Sequence, residues 1–278
     1  MNESLAEEIK KANIIYHAKM ADLYDKEQPH YELENIKRVT KVIKNLAKNG
    51  RKNRLLDIGC GTGFIINIGK KHFDQVIGID ITKAMLDKVD LSGGDISLQL
   101  ADSSNMPYQD EVFDICTAYG FLHHLPKLEP TLKEVFRCLK KGGVFYADQE
   151  PNYYFWKEIR SLRKTEVQSD IIRREVDSVC GICDTLENKF GLSERIISLA
   201  EYQKIICGGI KKEEITELLK SVGFSSITFE YQWFLGQGQL TEEASPKLID
   251  FIENHLKECL PASKNLFKYF SFRAIKEY

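Results

Sequence analysis

Leu55-Leu56-Asp57-Ile58-Gly59-Cys60-Gly61-Thr62-Gly63-Phe64 is the stretch on which the reading of this 278-residue chain turns. Its first four residues are apolar apart from Asp57 and read as a buried strand. Three glycines at alternating positions follow, and an apolar run, Phe64 to Phe73, then has the look of a helix. Glycines in that spacing let the backbone lie where side chains would clash. The turn so formed bares N–H groups at a helix start, where a ligand with acceptor atoms can sit. Short glycine clusters also make ordinary turns, so the surrounding order of elements has to arbitrate.

Moving outward, strands and helices alternate. Val76–Asp80 is apolar up to its last residue. Thr82 can cap a helix carrying Met85, Leu86 and Val89. Ile96, Leu98 and Leu100 alternate with polar residues, as an edge strand does. Phe113–Tyr119 is the next buried strand. Leu132, Val135, Phe136 and Leu139 make one face of a helix, which Lys140-Lys141-Gly142-Gly143 is expected to end, and Val144–Asp148 follows as a strand. Such alternation predicts a parallel sheet covered on both faces. Acidic residues close successive strands: Asp57, then Asp80, then Asp102 after the edge strand.

On the N-terminal side, Leu5, Ile9, Ala12, Tyr16, Met20 and Leu23 have helical spacing, Pro29 interrupts, and Leu33–Leu46 is a second amphipathic helix stopped by Asn49-Gly50. On the C-terminal side, Glu150 to about Gly209 breaks the alternation with charged and aromatic irregular helices. It resumes with a helix at Lys211–Val222, a strand through Ile227, Phe229 and Tyr231, a helix from Ser245 to Cys259, and an apolar strand Phe267–Lys276.

Composition bounds the partners. The net charge of −2 gives no basic surface of the kind that phosphate backbones require. No apolar run approaches the roughly 20 residues that cross a bilayer. The first residues, Met1 to Lys11, mix acidic and basic side chains and do not read as a signal peptide. Seven irregularly spaced cysteines fit a reducing, cytoplasmic setting, with Cys60, Cys116 and Cys138 as buried small residues. The single Cys180-x-x-Cys183 pair, without a second, is a poor zinc site, and no metal is expected from the sequence.

The glycine loop, Asp80, Ala101-Asp102, Leu139-Lys140-Lys141-Gly142-Gly143 and the later Leu218-Leu219-Lys220-Ser221-Val222-Gly223-Phe224 stand in the order seen in class I S-adenosylmethionine (AdoMet)-dependent methyltransferases. The chain resembles the small-molecule enzymes of the ubiquinone/menaquinone-like group over Leu55–Asp148 and Lys211–Lys276. The resemblance implies an α/β, Rossmann-like fold: a seven-stranded, mostly parallel sheet with helices on both faces, its last strand antiparallel. It also implies a division into a helical lid (1–50), a cofactor-binding core (51–149), a helical substrate cap inserted after strand 5 (150–210) and a segment completing the sheet (211–278).

Residue by residue, the resemblance places Gly59, Gly61 and Gly63 under the amino-acid part of AdoMet and Asp57 where it orients that turn and the cofactor's ammonium. Asp80 would accept from both ribose hydroxyls, Ile81 would pack on adenine, Asp102 with Ser103 beside it would meet the adenine amino group, and Tyr119 would lie near the methionine part. Asp80 alone could be a helix cap and Asp102 alone turn chemistry. Asp114 reads as structural.

The transferred methyl would go to a small-molecule acceptor. His123 and His124, after strand 4, are the candidates for a proton acceptor, with a structural helix-start role as the alternative; His17 and His30 are weaker candidates in the lid. Tyr16, Tyr24, Tyr153 and Trp156 are candidate pocket walls, with Tyr31 able to close over the cofactor. Lys157, Arg160, Arg163, Lys164, Arg173 and Arg174 would either meet an anionic substrate or form a solvated face. Ala118-Tyr119-Gly120-Phe121 departs from the signature of DNA amino-methylating enzymes, which argues against nucleic acid. Other readings are a non-catalytic AdoMet-binding sensor or partner subunit and a nicotinamide-dependent oxidoreductase. The sequence leaves the oligomeric state open.

Overall fold

A computed structural model describes residues 3–47, 54–163, 165 and 169–277. The expected helix stop at Asn49-Gly50 and the basic residue Lys164 lie outside these. The chain opens with helices α1 (Glu3–Met20), α2 (Tyr24–Glu27) and α3 (Leu33–Ala47). The alternating part runs β1 (Arg54–Ile58), α4 (Phe64–Gly69), β2 (Gln75–Asp80), α5 (Lys83–Leu86), β3 (Ile96–Leu100), β4 (Phe113–Tyr119), α6 (Leu128–Cys138) and β5 (Leu139–Pro151). Five helices follow: α7 (Tyr153–Leu162), α8 (Asp170–Cys180), α9 (Ile182–Phe190), α10 (Glu194–Ala200) and α11 (Tyr202–Ile205). The chain closes with α12 (Lys212–Val222), β6 (Ser225–Phe234), α13 (Gln237–Glu243), α14 (Pro246–Glu258) and β7 (Phe267–Ile275).

One seven-stranded sheet runs β3-β2-β1-β4-β5-β7-β6. The first five strands are mutually parallel, and β7 is antiparallel to both β5 and β6. The expected architecture is therefore observed, with β3 at an edge as its alternating pattern required. Strand order reverses between β1 and β4. There the carboxyl ends of the two strands diverge and leave a crevice.

Burial accounts for the strand sequences. Leu55, Leu56 and Ile58 of β1 are fully buried between two apolar clusters, one on each face of the sheet. A strand covered on both faces has no solvent side, so it reads as a continuous apolar run. Two smaller clusters lie outside the sheet. In one, Tyr16 and Met20 of α1 pack with Leu186, Leu192, Ile197 and Ala200 of the inserted segment. In the other, Phe155, Trp156 and Ile159 of α7 pack with Val176 and Val179 of α8. The N-terminal helices and the insertion thus share an apolar core of their own over the crevice.

Two local expectations are corrected. The helix after the glycine loop ends at Gly69 rather than Phe73: beyond it the chain tightens into turns in which His72 and Phe73 N–H both donate to the Gly69 carbonyl. Lys140-Lys141-Gly142-Gly143 is the opening of β5, not a turn after a helix. Leu139 pairs with Phe113, and Gly142 and Gly143 exchange bonds with Lys276 at the chain's end. A Cβ at Gly143 would stand 2.8 Å from the Lys140 carbonyl and 3.0 Å from that of Asp114, so the bulge needs glycine there.

A candidate active site over the switch point

The glycine loop is shaped by backbone sterics. Gly59, Gly61 and Gly63 have φ of +65°, +53° and +94°. At Gly59 there is a second reason, because a Cβ would come within 2.0 Å of the Phe121 ring. Loop and second strand are tied together: Cys60 N–H donates to the Ile79 carbonyl, and Gly61 N–H donates to Asp80 Oδ2 at 3.0 Å. Asp80 Oδ1 accepts from Thr82 N–H at 2.8 Å. The carboxylate that orients the turn is thus Asp80 rather than Asp57, and its remaining lone pairs face the crevice. Asp57 instead accepts from Thr117 on β4 at 2.8 Å.

Two cavities open at these strand tips. The first, of about 210 Å³, is lined by Asp80, Ile81, Asp102, Ser103, Lys10 and Asn13, among others. The second, of about 350 Å³, is lined by Asp57, Tyr16, Trp156, His123, Glu201 and Lys204, among others. His17, Tyr24, Gly59, Gly61, Tyr119, Gly120 and His124 belong to both walls, so the glycine loop sits at the junction. Tyr153 lies apart. Its ring faces a separate groove with Cys207 and Gly209, under the Lys211 ammonium. As the first residue of α7 its N–H is fixed to the Ile210 carbonyl, which turns the side chain outward. It is not a wall of either central cavity. Nor are Lys157, Arg160, Arg163, Arg173 or Arg174; Arg160, for one, donates to the Lys204 and Ile205 carbonyls.

The side chains of the first cavity are already engaged. Asp102 receives Lys10 of α1 on Oδ2 at 2.7 Å and the Ser104 N–H and hydroxyl on Oδ1. Burial opposes its ionisation, but these bonds together hold the carboxyl below its usual range. Ser103 Oγ pairs with Thr131 at 2.8 Å and is buried. The Asn13 Oδ1 is buried and has no partner.

Around the second cavity, the N-terminal segment laces itself to the loop. Thr62 Oγ1 donates to Asp25 at 2.5 Å and lies 2.7 Å from the Tyr31 hydroxyl. His30 stacks among Tyr31, Phe64 and Tyr119, and burial pulls its pKa down to about 4. Asn35 donates to the Tyr119 hydroxyl at 2.8 Å, and Arg38 reaches the fully buried Asp148 at 3.0 Å.

The histidines are held by acceptors that the sequence did not announce. Glu150, at 0% exposure, takes the N–H groups of Phe121, Leu122 and His123 and also His123 Nδ1 at 3.0 Å. Glu201, from the insertion, lies 3.6 Å from His123 Nε2, accepts from Tyr16 and is paired with Lys204 at 2.9 Å. His124 Nδ1 lies 2.7 Å from the Ala200 carbonyl, and His17 Nδ1 lies 3.0 Å from that of Asn13. A carbonyl can only accept, so each of these Nδ1 atoms carries the proton. Burial first, and the neighbouring His123 second, push His124 far below the usual imidazole pKa. It is a neutral ring. The one available signal for Glu150 was a carboxylate at a strand end; for Glu201 there was none.

Asp57 and Asp80 are both raised by burial, Asp57 to about 7, with their mutual repulsion adding to it at Asp57. Among the described residues, neither forms an ion pair with Lys or Arg; His17 and the hydrogen bonds from Thr82 and Gly61 offset part of the rise at Asp80. Two buried carboxylates without a side-chain cation suit a ligand that brings positive charge.

Residues 56–147 match the family described as a methyltransferase domain. The demethylmenaquinone methyltransferase of Lactobacillus johnsonii is 32% identical over 155 residues, 47% of this chain and 62% of that protein. The chain spans about half to three fifths of the length of the curated relatives it matches. The YcgJ protein of Bacillus subtilis superposes with a TM-score of 0.53 at 16% identity, over 87% of this chain and 99% of that one. The [4+2]-cyclase SpnF superposes at 0.55 and 16%, over 96% of each chain. The latter likeness shows that the fold alone does not settle the chemistry. AdoMet is the cofactor of this domain family, and the residues present fit it. The glycine turn is free of side chains, Asp80 has acceptor capacity to spare for a diol, and the two raised carboxyls await a cation.

Proposed function

We propose that this protein moves the methyl group of AdoMet to a small-molecule acceptor by in-line displacement. The observation that carries the reading is the junction of the two cavities at the glycine loop. The first offers a diol acceptor (Asp80), an apolar face (Ile81) and Asp102 with Ser103 for a nucleoside. The second is a separate chamber at the far side of Gly59, Gly61 and Tyr119, walled by Tyr16, Tyr24 and Trp156. A binding protein needs the first alone; a transferase needs both.

When bound, AdoMet supplies an activated methyl group on a sulfonium, so the hard chemistry belongs to the cofactor. The protein's part is placement and exclusion of water. A nucleophilic atom must come about 3 Å from the methyl carbon and in line with the carbon–sulfur bond. Asp57 and Asp80 compensate the cofactor's charge, the 1–50 segment acts as lid over the 51–149 core, and the 150–210 segment caps the acceptor chamber, with 211–278 completing the sheet. His123, oriented by Glu150, and the neutral His124 can accept hydrogen bonds from an acceptor hydroxyl or amine.

The named relative makes demethylmenaquinone the first acceptor to try, then hydroxylated aromatics as a class. Incubation of the purified chain with methyl-labelled AdoMet and a metabolite extract should move label into an extractable small molecule. Tight AdoMet binding with no transfer to any fraction would overturn the transferase reading and leave a sensor.

A further inference from the structure

His123, His124 and Glu201 present a ring nitrogen each and a carboxylate oxygen that all lie within 4.8 Å of one another. His123 and Glu201 are buried, and all three line the acceptor chamber. Nothing in the methyl-transfer reading requires three ligating groups to converge at one point. We propose that these three side chains hold a divalent transition-metal ion of the zinc class at the acceptor end of the cleft, with a coordination position left for an acceptor oxygen.

The supporting observation is what stands behind the ligands. Metal-bound histidines donate their other ring N–H to a carboxylate or carbonyl, which fixes the tautomer and raises ligand basicity. Here His123 Nδ1 is held by Glu150 at 3.0 Å and His124 Nδ1 by the Ala200 carbonyl at 2.7 Å, so both Nε2 atoms carry the lone pair. Tyr16 holds one Glu201 oxygen at 3.2 Å; the other, Oε2, is buried and faces the Lys204 ammonium at 2.9 Å. Two imidazoles and one carboxylate, with the fourth position open, are the donor set of catalytic rather than structural zinc. Ligand bonds of about 2.0 to 2.2 Å would require the three side chains to close by roughly an ångström. His123 Nε2 and Glu201 Oε2 are already 3.6 Å apart.

Lys204 is the competitor. Its ammonium balances Glu201 and also reaches the Trp156 ring face at 5.5 Å, which gives it another place to rest when an ion takes the carboxylate. The site stands on these side chains alone; its use, to hold an acceptor oxygen near the transferred methyl, rests on the methyl-transfer reading.

The test is titration of the full chain, stripped with chelator, with Co²⁺ as a visible stand-in for Zn²⁺, followed by displacement with Zn²⁺. One equivalent should bind with ligand-field absorption in the visible. Glu201→Gln and His123→Gln should each weaken binding at least 100-fold, Glu150→Gln by about 10-fold to 100-fold through loss of the supporting carboxylate. Lys204→Met should tighten binding several-fold, because no cation then has to leave; a purely structural ion pair would give a less stable chain with no such gain. Cys180→Ser with Cys183→Ser should change nothing. Circular dichroism and AdoMet calorimetry on each variant separate lost binding from lost folding. Absence of Co²⁺ binding, or binding that survives both Glu201→Gln and His123→Gln or vanishes with the two cysteines, overturns the proposal. A chain that binds Co²⁺ but never transfers label keeps the metal site and loses the transferase reading; label transfer without Co²⁺ binding does the reverse.

Discussion

The sheet and its helical cover are built by different rules. In the sheet, each functional position follows from backbone geometry: an aspartate where a parallel strand ends, glycines where the chain must turn with positive φ. In the cover, functional positions follow from which distant segments happen to meet. Lys10 reaches Asp102, and Tyr16 reaches Glu201 and Asp25 reaches Thr62 across separations of 185 and 37 residues. The sheet side of the site is thus local in sequence, and the cover side is not.

The largest effect that would break this contrast lies in the loop. Gly61→Val should abolish AdoMet binding by calorimetry while the sheet still folds, since φ of +53° suits glycine and a branched side chain would fill the cleft. Retained affinity would mean that the loop is not the seat of the ligand. Next comes the joint between cover and sheet. Arg38→Met leaves Asp148 fully buried without its cation, and chemical denaturation should show a loss of about 3 kcal/mol, the low end for a broken buried pair, because Arg38 itself is 30% exposed. A loss under about 0.5 kcal/mol would place that pair with ordinary surface bridges.

Asp80→Ala should weaken AdoMet by on the order of 10-fold to 100-fold, as ribose hydroxyls lose a charged acceptor. If affinity holds, Asp80 serves the loop's N–H groups and nothing more.

Acidity sharpens the same point. Asp57 titrates near 7 in the folded chain because burial disfavours its charge. A raised carboxyl pKa makes folding most favourable at low pH, with that contribution lost as pH rises through about 7. A cationic ligand reverses the preference, so AdoMet affinity should increase from about pH 6 to about pH 8, and Asp57→Asn should flatten the profile. The smallest effect is Lys10→Met. The pair it breaks is half-exposed, and AdoMet affinity should shift by less than about 1 kcal/mol; a larger change would make α1 a direct part of the nucleoside site.

How far the site was legible follows the same division. Asp57, Gly59, Gly61, Asp80, Ile81, Asp102 and Tyr119 line the two cavities, because strand ends and glycine turns are written in a few adjacent residues; Gly63 does not, since it caps α4 and faces Val89. Tyr16 and Tyr24 reach the chamber from α1 and α2; on α7, Trp156 reaches it while Tyr153 does not, a distinction set by which side of that helix faces inward. Glu150 reads in the sequence as the first residue of the helical insertion, yet its carboxylate gathers four donors. Glu201 sat unmarked among surface charges.

Local chain order determined the alternating sheet, its turn of bare backbone and the acidic tips, since periodicity and steric permission act over a handful of neighbours. Tertiary structure alone decided which histidine faces two carboxylates and where the acceptor chamber lies. Those facts arise from contacts between segments 27 to 185 residues apart, and no local pattern encodes a distance in space.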